Sequence, residues 1–203
     1  MRLPVLPLLI ALVTGLACRE AAPARRASES PAPPLGVVDS ALPIPLLLDR
    51  FRATVADTPA ALAGGATSPE RLTRALLSAL SAHDTAALRG LTVSRAEFAW
   101  LYYPESRYTR PPYELGPELV WLTTSAANEK GAGRLLQRYG GRPLRLDGVR
   151  CPAPAETEGT NAVLRGCLVR FAAGDSAVRE LALFGALLRR DGRYKFLSFA
   201  NDL

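Results

Sequence analysis

The spacing of apolar residues is helical over the first part of the folded region. Leu47, Phe51 and Val55 recur at every fourth position after Pro45, which predicts a short helix that docks on the main domain. Further helices are predicted where a capping side chain, an N-terminal proline or an early acid precedes helical spacing. These starts are Ser68-Pro69-Glu70, Asp84, Ser94-Arg95-Ala96-Glu97 and Pro117. The last helix is expected to break near Gly131-Ala132-Gly133 and to resume up to Gly140-Gly141.

From Leu144 onward the apolar positions alternate, which is typical of half-buried strands. Four strands are predicted, carrying Leu144 and Leu146; Val163, Cys167, Val169 and Phe171; Val178 to Leu188; and Tyr194 to Phe199. Asp191-Gly192 separates the last two and predicts a tight hairpin. Glu156 and Glu158 are expected in a solvated turn. Helices followed by an antiparallel meander predict an α+β fold, with N-terminal helices packed on a C-terminal, curved antiparallel sheet of about four strands.

Residues 76–88 read Leu-Leu-Ser-Ala-Leu-Ser-Ala-His-Asp-Thr-Ala-Ala-Leu. This stretch resembles the opening of the NTF2-like (SnoaL-like) superfamily, in which a helix, a His-Asp or Gly-Asp turn and a second short helix cover a curved sheet. The resemblance implies such a fold for residues 69–203 and a cavity beneath the helices. A cystatin-like sheet is the alternative.

The first residues have the pattern of an export signal. Met1-Arg2 give a positive start, and Leu3 to Val13 form an apolar run of about eleven residues, about half the length that a membrane-spanning helix needs. The following residues, Thr14-Gly15-Leu16-Ala17-Cys18, resemble the lipobox of bacterial lipoproteins. The resemblance implies cleavage before Cys18, acylation of that cysteine with chains such as palmitate, and anchoring in the membrane. An ordinary secretory signal that is cut near Ala17 is the alternative.

The sequence accordingly divides into four parts. Residues 1–17 are predicted to be the signal peptide, and residues 18–41 the lipidated cysteine with a disordered tether rich in Ala, Pro, Ser and Arg. Residues 42–67 hold the short helix and a loop, and residues 68–203 form the α+β globular domain. Arg19, which is not the Asp typical of inner-membrane retention, implies the outer membrane facing the periplasm as the location.

The net charge of +6 comes from arginines scattered along the chain, with Lys130 and Lys195 as the only lysines. No basic run is longer than a pair, and no aromatic-basic stripe of a nucleic-acid module occurs, so the arginines indicate a solvated surface and nucleic acid is not expected as a partner. His83 is the only histidine and precedes Asp84 at a helix junction, where a capping role is expected. No catalytic residue, metal site or cofactor is predicted.

Cys151 and Cys167 remain as thiols once Cys18 is acylated. An oxidising cell envelope favours a disulfide between them, and two free thiols are the alternative. If the flanking strands formed a simple hairpin, the two Cα atoms would lie too far apart to bridge. The predicted bond therefore requires the loop to fold back, or the first strand to lie elsewhere.

Half of the aromatic residues lie between Phe98 and Trp121, in a region interrupted by four prolines. Large rings on a rigid, irregular segment suit a binding surface. The candidate surface comprises Trp100, Tyr102, Tyr103, Tyr108, Tyr113 and Trp121. The alternative is that these rings cover the sheet and fix the loop. The sequence therefore predicts a membrane-anchored, non-enzymatic domain that binds a small ligand or a protein. A periplasmic enzyme with an NTF2-like cavity and a structural envelope component are the alternatives.

Overall fold

The computed structural model describes residues 42–201 of the chain, so the predicted signal peptide, Cys18 and the tether lie outside the described residues. Within residues 42–201, five α-helices come first: α1 (Ile44–Ala53), α2 (Pro69–Ser81), α3 (Thr85–Gly90), α4 (Arg95–Glu97) and α5 (Pro117–Tyr139). Between α4 and α5 the chain continues in a π-helical turn (Phe98–Tyr102) and two 3₁₀ turns (Tyr103–Glu105 and Arg107–Thr109).

Helices α2, α3 and α4 each begin where a local side chain caps them. Ser68 accepts a hydrogen bond from the Arg71 amide at 3.2 Å, and Asp84 accepts one from Ala87 at 2.9 Å. Ser94 and Glu97 form a reciprocal capping box. These starts confirm the helix predictions, because a cap acts on amides within its own first turn.

Helix α5 is continuous, so the predicted interruption near Gly131 is wrong. Gly131 is buried, and a Cβ atom there would lie 2.6 Å from the carbonyl carbon of Phe199. The glycine therefore allows the end of the sheet to approach the helix backbone, and it does so without breaking the helix.

In the described part of the chain seven strands follow, and all neighbouring strands are antiparallel. They are β1 (Leu144–Arg150), β2 (Glu156–Glu158), β3 (Asn161–Arg165), β4 (Leu168–Ala173), β5 (Arg179–Leu181), β6 (Ala186–Arg190) and β7 (Arg193–Ser198). One sheet has the order β1-β4-β5 and the other β2-β3-β6-β7. The α+β class is confirmed, but the strands belong to two sheets.

Two predicted strands are each split between the sheets. The run from Val163 to Phe171 is broken at Gly166, whose φ is +66°, into β3 and β4. The run from Val178 to Leu188 is broken between β5 and β6. The apolar pattern continues across both breaks because Cys167 in the first break and Leu183 and Phe184 in the second are buried. The predicted count of about four strands is therefore too low, and the expected turn at Glu156 and Glu158 is strand β2.

Helices and sheets enclose two apolar clusters, on opposite faces of β6 and β7. Leu187 and Phe196 belong to the first cluster, with residues of α2, α5 and β4. Leu188 and Leu197 belong to the second, with residues of α1 and the π-helical turn. The apolar character of both faces of β6 thus follows from its burial on both sides, as its sequence predicts.

The hairpin between β6 and β7 is tight. Arg190 pairs with Arg193, and the two residues between them, Asp191 and Gly192, have φ values of +49° and +70°. Positive φ at both positions is the signature of the type I′ turn predicted from the Asp-Gly pair.

Gly192→Val is expected to lower the free energy of unfolding by about 1–2 kcal/mol, because a β-branched residue is strained at positive φ. No atom lies within 4 Å of a Cβ built at Gly192, so the effect would come from the backbone alone. Urea denaturation measures it. Gly148→Val is the matched control, since Gly148 also has open space and lies in β1 without a positive φ. Equal stability of the two variants would contradict the I′ assignment.

Candidate functional site

A cleft of about 550 Å³ lies between α3 and α5. Its volume lies within the range of about 300–1,000 Å³ that is typical of small-molecule sites. Its lining comprises Thr85, Leu88, Arg89, Thr92, Val93, Trp121, Ser125, Asn128, Glu129, Ala132, Gly133, Leu136 and Phe199. Six of these side chains are apolar and six are polar or charged.

The floor of the cleft reaches both apolar clusters. Leu88 and Phe199 belong to the first cluster, and Val93 to the second. Trp121 packs against the second cluster and places its ring 5.3 Å from that of Phe98. A ligand in the cleft would therefore contact rigid core side chains.

One wall is a single stripe along α5. Trp121, Ser125, Asn128, Ala132 and Leu136 follow one another at spacings of three or four residues, so they share a helix face. The helix is continuous through this stretch, and its glycines do not interrupt it.

Gly133 widens the cleft at this wall. It lies inside α5, where a glycine is destabilising by about 0.5–1 kcal/mol relative to alanine. Unlike Gly131, it approaches no neighbouring group, since nothing lies within 4 Å of a Cβ built there. Its small size therefore serves no packing contact among the described residues and leaves space in the cleft.

Hydrogen bonds to backbone groups hold the opposite wall of the cleft in place. Asp84 caps α3 and so fixes the position of Leu88 and Arg89. The chain then runs beside β7, where the Val93 amide donates to the Phe196 carbonyl at 2.9 Å.

Asn128 joins α5 to the end of the sheet at the cleft floor. Its side-chain oxygen accepts a hydrogen bond from the Phe199 amide at 2.6 Å, and its Nδ2 donates to the Leu197 carbonyl at 3.4 Å. Asn128 is therefore engaged in holding the site together.

Two opposite charges, Arg89 and Glu129, line the cleft. Within residues 42–201 neither forms an ion pair, with the other or with a further charged residue. Both side chains are exposed, so both charges are available to a ligand.

The predicted aromatic surface is only partly at the surface. Tyr102 and Tyr103 are 2% and 0% exposed, and assigning them to a binding surface is wrong. The π-helical turn and the 3₁₀ turn that follows it direct these two rings into the second cluster, where burial raises the pKa of Tyr103 to about 12. The Tyr103 hydroxyl donates to the Leu115 carbonyl at 2.6 Å, which fixes the loop that precedes α5.

The other four rings are distributed over different surroundings. Trp100 is half-buried beneath Arg52, whose guanidinium lies 4.1 Å from the ring centroid. Tyr108 and Tyr113 stack edge to face, and Tyr113 is 45% exposed. Trp121 alone of the six predicted residues lines the α3–α5 cleft. The alternative, in which most of these rings fix the irregular segment, describes their packing better.

A group of charges attaches this aromatic segment to β2 and β3. Arg107 forms ion pairs with Glu156 and with the buried Glu158, the latter at 3.0 Å. Glu105 accepts hydrogen bonds from Thr160 and Arg190. Burial opposes the ionisation of Glu105, but these bonds outweigh it and lower its pKa. These charges pair within the protein, which indicates a structural role.

A smaller cleft of about 190 Å³ lies beside this group and is lined in part by Tyr102, Tyr108 and Arg165. Arg165 is paired with Glu156 at 3.2 Å. The volume of this smaller cleft is below the range of typical ligand sites.

His83 lies outside the α3–α5 cleft. It is exposed at the junction of α2 and α3 with a φ of +54°, and its ring fills the space beside Gly140. Asp84 serves as the predicted helix cap. Within residues 42–201, no group of three or more His, Cys, Asp or Glu side chains has the arrangement of a metal site.

Sequence reasoning missed most of the cleft. Arg89, Asn128, Glu129, Leu136 and Phe199 come from three distant segments, so no local motif joins them. The one local signal is the α5 stripe, in which small and polar residues occupy positions that a packed helix would fill with large apolar ones.

Comparisons with models of protein families, with curated proteins and with solved structures found no match.

Proposed function

We propose that this chain is a lipid-anchored protein of the bacterial cell envelope, whose α+β domain binds an elongated, largely apolar ligand between α3 and α5. The observation that carries the binding proposal is the 550 Å³ cleft with Trp121 and core side chains in its lining. Binding suits this lining better than acid-base catalysis does. Of the described residues there, Glu129 is the one carboxylate, and it is solvent-exposed.

The membrane anchor in this proposal rests on the sequence around Cys18, which lies outside the described residues. Among the residues described, none of the helices has the length and apolar character needed to cross a bilayer. Acylation at Cys18 would hold the domain at the membrane through two or more chains, each of which contributes about 0.8 kcal/mol per buried CH₂.

Cys18→Ala is expected to abolish incorporation of labelled palmitate and to release the protein from the membrane fraction. The thiol is the only group at that position that can take the acyl chain. Metabolic labelling and fractionation of cells measure both effects. Cys151→Ala with Cys167→Ala is the control and is expected to keep the label. Undiminished labelling of the Cys18 variant would place the anchor elsewhere.

Gly133→Met is expected to weaken binding of an apolar probe, N-phenyl-1-naphthylamine, by at least about tenfold, because the new side chain occupies space that a ligand would need. Fluorescence titration of the whole chain measures the affinity. Ala126→Met is the matched control, since Ala126 is an exposed residue of the same helix outside the cleft lining. Equal weakening in both variants, or no binding to the unaltered chain, would contradict the assignment of this cleft.

A further inference from the structure

We propose that the α3–α5 cleft takes a single-chain amphiphile with a zwitterionic head group, the chemical class to which lysophospholipids belong. This inference rests on the proposed binding function and names its ligand class.

The shape of the cleft fits one aliphatic chain. The stripe on α5 runs from Trp121 to Leu136, fifteen residues, which is about 22 Å along the helix axis. Beneath it lie Leu88, Val93 and Phe199, all buried. Gly133 leaves open space on the same wall. A cleft of this length, with buried apolar side chains beneath it, accommodates an extended chain better than a compact ring system.

The charges of the cleft select the head group. Arg89 and Glu129 both line it, yet they do not form an ion pair with each other or with any other residue between 42 and 201. A guanidinium binds a phosphate through two parallel hydrogen bonds, and a carboxylate attracts an ammonium group. A purely anionic head would leave Glu129 unpaired and facing a like charge, and a purely cationic head would do the same to Arg89. A zwitterion meets both charges.

The chain itself provides the reporter for a test. Trp100 and Trp121 are its only tryptophans, and Trp121 alone lines the cleft. In a full chain carrying Cys18→Ala and Trp100→Phe, tryptophan fluorescence therefore reports on the cleft. The probes are dodecyl lysophosphocholine, dodecanoate and dodecyltrimethylammonium, which share one chain length and differ in head-group charge. Each is titrated below its critical micelle concentration, and calorimetry on the chain with both tryptophans provides a second measurement.

Dodecyl lysophosphocholine is expected to bind at least about tenfold more tightly than either singly charged probe, which corresponds to one charge-assisted hydrogen bond gained. Arg89→Gln and Glu129→Gln are each expected to remove about that factor for the zwitterion. Arg74→Gln and Glu70→Gln, at exposed residues of α2 outside the cleft lining, are the charge-matched controls and are expected to change nothing.

The possible failures are distinguishable. Equal affinity for the three probes, or equal loss in the control variants, would overturn the head-group assignment and leave the binding proposal standing. Absence of any fluorescence or calorimetric response to all three probes would overturn both.

Discussion

Lys195→Met is expected to lower the free energy of unfolding by about 3–5 kcal/mol, the range for removing one partner of a buried ion pair. Lys195 is paired with Glu97, and the two side chains are 5% and 2% exposed. The ammonium donates to both carboxylate oxygens, at 2.8 and 3.1 Å. Without it, the Glu97 carboxylate would remain buried without its neutralising charge. Equilibrium urea denaturation measures the loss.

The carboxylate of Glu97 also joins three segments of the chain. Its oxygens accept hydrogen bonds from the Ser94 amide and from the Ala63 amide, each at 2.7 Å. It thereby caps α4, holds the loop that precedes α2 and contacts β7 through Lys195. Glu97→Gln is expected to destabilise as strongly as Lys195→Met, because it leaves the ammonium buried and unpaired.

Two comparisons distinguish the contribution of the ion pair to stability from the general effect of replacing a side chain. In the double variant Glu97→Gln with Lys195→Met, the loss is expected to be smaller than the sum of the single losses, since neither charge is left alone. Arg150→Met is the matched control, because Arg150 is paired with Glu180 at the surface and is 71% exposed. It is expected to change stability by less than about 1 kcal/mol. A loss below about 1 kcal/mol in Lys195→Met as well would contradict the role assigned to the buried pair.

The sequence indicates the helices well because their signals are local. The caps at Ser68, Asp84 and Ser94 act within one turn, and the turn at Asp191-Gly192 needs only its own two residues. The choice of sheet for each strand is not local. β3 and β4 share one alternating pattern, and only the positive φ of Gly166 shows where the chain changes sheet. Alternation reports burial of a face and carries no information about the partner strand.

The candidate site is harder to predict than the fold for a related reason. A cluster of aromatic residues in the sequence suggests a surface, yet Tyr102 and Tyr103 are core residues here. The irregular turns that carry them direct both rings into the second apolar cluster. The cleft instead depends on a small residue. No neighbouring group requires a glycine at Gly133, and the open space beside it is seen only in three dimensions. The resemblance to the NTF2-like superfamily and the lipid anchor both stay predictions.

The cysteine pair lies where the chain leaves one sheet and returns to it. The last residues paired between β1 and β4 are Arg150 and Leu168, so Cys151 and Cys167 are opposite each other in the next position of the register. Their Cα atoms are 4.1 Å apart and a disulfide joins them, which confirms the predicted pairing. The first strand does not pair with its nearest neighbour in sequence. The hairpin of β2 and β3 projects into the other sheet, and this removes the geometric objection to the bond.

Replacing both Cys151 and Cys167 by Ala is expected to lower the free energy of unfolding by about 3 kcal/mol, the chain-entropy value for a closed loop of this size. The two residues are 16 positions apart, and Cys167 is buried in the first apolar cluster. Reduction of the unaltered chain is expected to cause a similar loss and to have no effect on the double variant, which separates the cross-link from the side-chain replacement. In a Cys18→Ala background, alkylation is expected to label no thiol before reduction and two afterwards. Two reactive thiols before reduction, in protein taken from its native compartment, would show that the pair is not bonded there.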